Sequence, residues 1–208
     1  MNVTLLHYTP LSVCAYAIRT CWDSHSKSNK RADESLIFRV GNINKHKSVL
    51  EHLVYSFDIQ NISRACLQEL ARHRIASLSV KSTRYTLKEL NKEESFLNDN
   101  NAAKRAEKYI KLQNDQTLDS IAIQSLENLR VLLKSYPNDK AKYVLPECYL
   151  TSLVWTINAR SLQNFLTLRT AKVAFKEIQD LAFMIYKNLP SEHLYLFNEC
   201  LSERATTD

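Results

Sequence analysis

The chain has 208 residues, 45% hydrophobic and 24% charged, so it can bury a core for one domain or at most two, and gross disorder is excluded. Its formal net charge of +6 favours anionic partners, nucleotides or nucleic acid, without choosing between them. Five cysteines, an odd count with no C-x-x-C, argue against a disulfide scaffold or a zinc site, and a lone glycine, Gly41, excludes both a G-x-G-x-x-G turn and a Walker-type phosphate loop.

Residues 1–12 lack the charged-then-apolar pattern of a signal peptide, and no apolar run reaches the roughly 18 residues a membrane span needs. With reduced thiols, this predicts a cytoplasmic protein without a membrane partner. Residues 2–7 are apolar and β-compatible, a first strand. Thr9-Pro10 reads as an N-cap and first helical residue, opening a helix to about Trp22. Residues 23–34 are polar and charged, a loop. Leu53, Tyr55, Phe57 and Ile59 alternate with polar residues over 53–60, a strand with one apolar face. Asn61 then serves as N-cap for a helix whose buried stripe is Ile62, Cys66, Leu70 and Ala71, ending near His73 and Arg74. Residues 80–87 return as a strand.

Residues 91–116 are very polar and read as an exposed insert with some helix. An amphipathic helix follows over 119–136, carrying Ile121, Leu126, Leu129 and Leu133. Residues 150–158 form an apolar strand, 159–169 and 174–189 two helices, and 192–204 a short terminal helix. There is no internal repeat and no flexible linker. The expected fold is a single α+β domain over 1–208, within which 88–140 is a polar, mostly helical variable segment.

Three constellations carry chemistry. In Arg72-His73-Arg74-Ile75-Ala76-Ser77-Leu78-Ser79-Val80-Lys81-Ser82-Thr83-Arg84-Tyr85, cations and hydroxyls crowd at a helix-to-loop junction. Cations at a helix C-terminus explain His73 or Arg74 alone, but not Ser82, Arg84 and Tyr85 following at once. The natural ligand is an anion, of which phosphate is a common one: arginine meets it with a planar fork, and serine hydroxyls and backbone N–H groups can complete the cradle. In the segment 155–169, Asn158, Asn164 and Arg169 are the key polar positions, and Arg160 and Asn164 share a helical face. Asn158 reads equally as an N-cap, and the segment alone is balanced between structure and site. In 46–52, His46 and His52 flank Ser48 and Glu51, but their six-residue separation is wrong for one helical face and no third metal ligand is apparent. Cys66 falls on the buried stripe and reads as inert core.

The first constellation resembles the signature of flavin-dependent thymidylate synthases, R-H-R-x-x-S-x-N-x-x-S-x-R-Y, departing from it at Ser79, which loses an amide. The segment 155–169 is similar to the family's second block and 46–52 to its flavin-side loop, with Val49 where the family has proline. Arg19-Thr20-Cys21 resembles the end of its N-terminal helix. The likeness spans about 10–185 and is least over 88–140.

The resemblance implies a mainly antiparallel sheet flanked by helices, and synthesis of dTMP from dUMP. Methylenetetrahydrofolate would supply the carbon, and FAD, reduced by NADPH, the hydride. It implies a homotetramer with active sites shared between subunits. It assigns dUMP to Glu69, Arg72, Val80, Lys81, Ser82, Thr83, Arg84, Lys142 and Arg169. Lys142 replaces the family's usual arginine, keeping the charge without the fork. It assigns the flavin to His46, Ser48, Arg72, His73, Arg74, Val80, Asn158, Arg160 and Asn164, with His46 also bordering the folate and Tyr85 lining the same pocket. Arg169 would be catalytic, stabilising charge on the uracil ring. Ser82 has no evident base to activate it and reads as a binding residue. Two competing readings are a catalytically weak homologue that only binds nucleotide, and a basic nucleic-acid module. The second is disfavoured because aromatic residues are not interleaved with the cations, so no nucleic-acid partner is expected.

Overall fold

The computed structural model describes residues 1–97 and 101–202. Strand β1 (Asn2–Tyr8) leads into helix α1 (Leu11–Cys21), then α2 (Lys30–Phe38), β2 (Val54–Ser63) and α3 (Arg64–Ala71). Strand β3 (Ala76–Val80) and the one-turn helix α4 (Thr83–Thr86) follow, then α5 (Ala102–Ala106), α6 (Gln116–Leu132) and the one-turn α7 (Asn138–Ala141). Strand β4 (Leu150–Asn158), α8 (Ala159–Arg169) and α9 (Lys176–Lys187) complete the regular elements. The strands form one sheet in the order β1-β2-β4-β3, with β1 and β2 antiparallel. The expected α+β class is what the chain forms. Among the described residues no helix is long and apolar enough to cross a membrane.

Chain contacts divide the molecule into two compact units. The first comprises 1–60, 69–79 and the residues from 154 on. Its core follows from the period-2 pattern of β2 and β4. Tyr55, Phe57 and Ile59 alternate inward from β2, and Trp155 and Ile157 from β4. Burying side chains of this size stabilises the fold by about 1.5–3 kcal/mol each. Rings connect this core to the signature motif: Phe57 lies 6.3 Å from Trp155, Trp155 5.0 Å from Phe165, and Phe165 5.0 Å edge-on from His73. Helix α8 buries Ala159, Leu162, Phe165 and Leu166, so its opposite face is left for polar residues.

The second unit comprises 61–68 and 80–153 and has its own apolar cluster, including Leu87, Leu90, Phe96, Tyr109, Ile110, Leu126 and Leu129. This corrects the expectation of an exposed insert over 91–116: Phe96 is 1% exposed and Ile110 1%. The polar composition hid them because their partners are distant in sequence. Glu127 on α6 accepts from the Phe96 backbone N–H at 3.0 Å and pairs with Arg130 at 2.7 Å. Residues 98–100 of that stretch lie outside the described residues.

Other boundaries differ from expectation for local reasons. The loop expected over 23–34 contains the start of α2, because Asn29 caps it, its side chain accepting from Ala32 N at 2.9 Å. Asp33 in that first turn also pairs with the buried Arg19 at 2.6 Å. Asn61 does not cap α3. It stays in β2 at φ 58°, and the side chain of Ser63 accepts from Cys66 N at 3.0 Å instead. The strand expected over 80–87 is replaced by β3 ending at Val80 and a turn of helix, in which Tyr85 and Thr86 both donate to the Ser82 carbonyl. The terminal helix expected over 192–204 is two short 3-10 turns, Ser191–Leu196 and Asn198–Cys200; 203 and 204 lie outside the described residues.

Candidate active site

The end of α3, the turn that follows it and the outer face of α8 meet within the first unit. Arg72, His73, Arg74 and Ile75 from the turn, and Arg160, Ser161, Asn164, Leu168 and Arg169 from α8, line a cavity of about 660 Å³ with Lys47 at its edge. Ser161, Asn164 and Leu168 sit at helical spacing on the face that Leu162, Phe165 and Leu166 do not use. Four arginines and a lysine around one space make it an anion receptor. The apolar flanks of Ile75 and Leu168, 72% and 52% exposed, offer a surface for a planar ring.

Arg169 is the most constrained of these cations. Its Nη1 pairs with Glu69 Oε2 at 2.7 Å, its Nη2 donates to the Glu69 carbonyl at 3.3 Å, and its Nε donates to His73 Nε2 at 3.0 Å. The last bond fixes a tautomer: Nε2 accepts, so the imidazole proton resides on Nδ1. Burial, with the adjacent Arg169 charge, pushes His73 down to about 4, so the ring is neutral at physiological pH and can keep that acceptor. A guanidinium carries five N–H donors, three of which are engaged here. Two remain, held in a fixed direction by partners on two elements.

A second cavity, of about 500 Å³, adjoins the first through Lys47 and Arg160, which line both. His46 and Ser48 belong to this one, together with Lys45, Cys21 and Trp22. The turn that carries them is seated by packing: a Cβ on Gly41 would stand 2.8 Å from Leu50 Cδ2, so a larger residue at 41 would force the buried Leu50 side chain to shift. From α1, the buried Cys14 thiol donates to the Val49 carbonyl at 3.2 Å, and burial pushes that thiol up to about 12, leaving it inert. Glu51, from the same turn, pairs with Arg160 at 2.7 Å.

The other residues assigned from sequence lie elsewhere. The Asn158 amide oxygen caps α8, accepting from Ser161 N at 2.9 Å, and Asn158 does not line either cavity. Val80, Lys81, Ser82, Thr83, Arg84 and Lys142 belong to the second unit. There Lys81 donates its backbone N–H to the Ser152 carbonyl at 2.8 Å, Ser82 and Thr83 are half-buried, and Lys142 and Tyr85 are exposed. Arg84 pairs with Asp139 at 2.7 Å. Sequence reasoning passed over Lys47, Ser161 and Asp139. The signal for Ser161 was present in the helical period of α8, whereas Lys47 and Asp139 gave none beyond their charge.

A family model described as thymidylate synthase complementing protein matches residues 4–193. Proteins named flavin-dependent thymidylate synthase are 58% identical in Wolinella succinogenes and 53% in Helicobacter pylori. They cover 98% and 97% of this chain and 99% of their own length. A crystal structure of thymidylate synthase X from Helicobacter pylori with FAD and dUMP is 51% identical, covers 98% of this chain and all of its own, and superposes with a TM-score of 0.93.

Proposed function

We propose that this chain, which belongs to the flavin-dependent thymidylate synthase family, is an enzyme that methylates dUMP to dTMP with FAD as its bound cofactor. The observation that carries the reading is the convergence of Arg72, Arg74, Arg160 and Arg169 on one cavity in a chain so close to a protein solved with FAD and dUMP. The donor set fits a flavin dinucleotide. Arg74, Arg160 and Lys47 suit a diphosphate, Ser161 and Asn164 add hydrogen bonds, and Ile75 and Leu168 suit the ring system. Arg72 and His73 would border the isoalloxazine, with His46 and Ser48 on the side of the adjoining cavity. When bound, the flavin supplies a hydride drawn from NADPH, and methylenetetrahydrofolate supplies the carbon of the new methyl group.

The chain's own contribution is binding, orientation and electrostatics. Arg169 would direct its two unused N–H groups at a uracil carbonyl and stabilise the negative charge that makes the ring carbon nucleophilic. Glu69 and His73 hold it in place, and because His73 is neutral it accepts from Arg169 without competing for charge. Arg84, Ser82 and Lys142 would take the substrate phosphate, and Val80 and Lys81 the nucleotide along the β3 exit. Charge-assisted hydrogen bonds of this kind contribute about 1.5–3 kcal/mol each. Holding substrate, cofactor and carbon donor in register supplies up to about 7–11 kcal/mol of barrier reduction in ideal cases. The reading extends to cytoplasmic homotetramers with shared sites.

Visible absorption tests it. Purified protein is expected to take up FAD with the bands of a bound flavin, and those bands to shift on addition of dUMP. Arg74→Ala with Arg160→Ala is expected to lose the flavin. Failure of the native chain to retain FAD would contradict the assignment.

A further inference from the structure

In the second unit, the Arg84 guanidinium is held along one edge. Its Nε donates to Asp139 Oδ1 at 2.7 Å and its Nη2 to Asp139 Oδ2 at 3.2 Å. The Asn138 side chain donates to the Arg84 carbonyl at 2.6 Å, so two consecutive residues of α7 grip both ends of the same arginine. Lys142 follows α7 directly, at the start of a 3-10 turn whose Leu145 N–H donates to the Lys142 carbonyl. Pro137 opens α7, its carbonyl accepting from Lys140 N at 3.0 Å and Ala141 N at 3.1 Å, which gives the segment a fixed start.

From this geometry we infer that Asp139 is a positioning residue for substrate phosphate. It occupies the Nε/Nη2 edge of Arg84 and so presents the opposite edge, with both Nη1 hydrogens and the second Nη2 hydrogen, as a fork for a phosphate monoester. Asn138 ties α7 to α4, so that the anchored Arg84 and the adjacent Lys142 belong to one receptor rather than to two independent loops. The inference rests on the reading of Arg84 as a phosphate-binding residue.

A purely stabilising role fits poorly. The side chains of the pair are 58% and 57% exposed, and exposed ion pairs contribute little to folding. What the pair does accomplish is to select one rotamer of a long, flexible side chain before the substrate arrives, and preorganisation of this kind appears in affinity.

The experiment uses the FAD-loaded enzyme and varies the nucleotide. Asp139→Asn and Asp139→Ala are expected to raise KM for dUMP by about three- to tenfold while kcat changes less than about twofold, the signature of lost uniform binding. Binding of deoxyuridine, which lacks the phosphate, is expected to be unaffected, and Asp139→Glu to restore most of the loss. Melting temperature should be unchanged in all three variants. An unchanged KM would overturn the proposal, and a lowered KM would show that Asp139 competes with the phosphate instead. Arg84→Ala separates the two levels. If it raises KM while the Asp139 variants do not, positioning fails and the phosphate role stands; if it leaves KM unchanged, both fail.

Discussion

Arg169, Glu69 and His73 form a unit whose behaviour follows from three distances. Arg169→Ala is expected to keep the fold and the flavin but lower turnover by about 10²–10³-fold, the size typical for one preorganised donor at a developing charge. Steady-state kinetics with FAD retention measured in parallel would check it. His73→Ala should cost less, because the Glu69 contacts to Arg169 remain. A variant with an acceptor at the end of a longer side chain, His73→Gln, should recover part of the loss. The same histidine sets a pH dependence of stability. Its ordinary value is 6.5 and burial holds it at about 4, so between those limits the unfolded chain binds the proton and the folded chain does not. Stability therefore falls as pH is lowered from about 6.5 to about 4. Urea unfolding across that range should show a shallower slope in His73→Gln than in the native chain. The slope should not vanish, since burial lowers His193 as well.

At the scale of elements, the second unit contains the clearest single dependency. Glu127 and Arg130 are 6% and 7% exposed, and their pair closes α6 against the 93–96 segment, where Arg130 Nη1 also donates to the Glu93 carbonyl at 3.3 Å. Glu127→Ala leaves a buried guanidinium uncompensated and the Phe96 N–H unsatisfied, and is expected to destabilise by about 3–5 kcal/mol, readable in denaturant melts. The Arg130 contact holds Glu127 down to about 2, so its contribution is present above the ordinary value of 4.5 and is lost as pH falls from there toward about 2. These dependencies also explain what the sequence could disclose. β4 and α8 were legible to the residue, because an apolar period-2 run passes directly into a period-3.6 stripe at Asn158, a capping residue. The start of α2 at Asn29 and the cap of α3 at Ser63 were not, since each competed with an equally good capping residue or with a charged stretch nearby. The core of the second unit was hidden for a different reason: Phe96, Tyr109 and Ile110 are scattered among polar residues, and their burial depends on helices far along the chain. The Arg72–Arg74 and Arg160–Arg169 segments were visible as chemistry, but their convergence on one cavity is a property of the packed fold.

For the molecule as a whole, the net charge of +6 includes the four arginines and the lysine that line the proposed anion cavity. Analytical ultracentrifugation is expected to give a homotetramer; a monomer with full activity would contradict shared active sites. The most direct measurement is dTMP formation by the FAD-loaded protein supplied with dUMP, methylenetetrahydrofolate and NADPH. dTMP should appear only with all components present, with NADPH oxidised faster once dUMP is added. Retention of flavin without any dTMP would show a nucleotide-binding homologue and contradict the assignment of this chain as a thymidylate synthase.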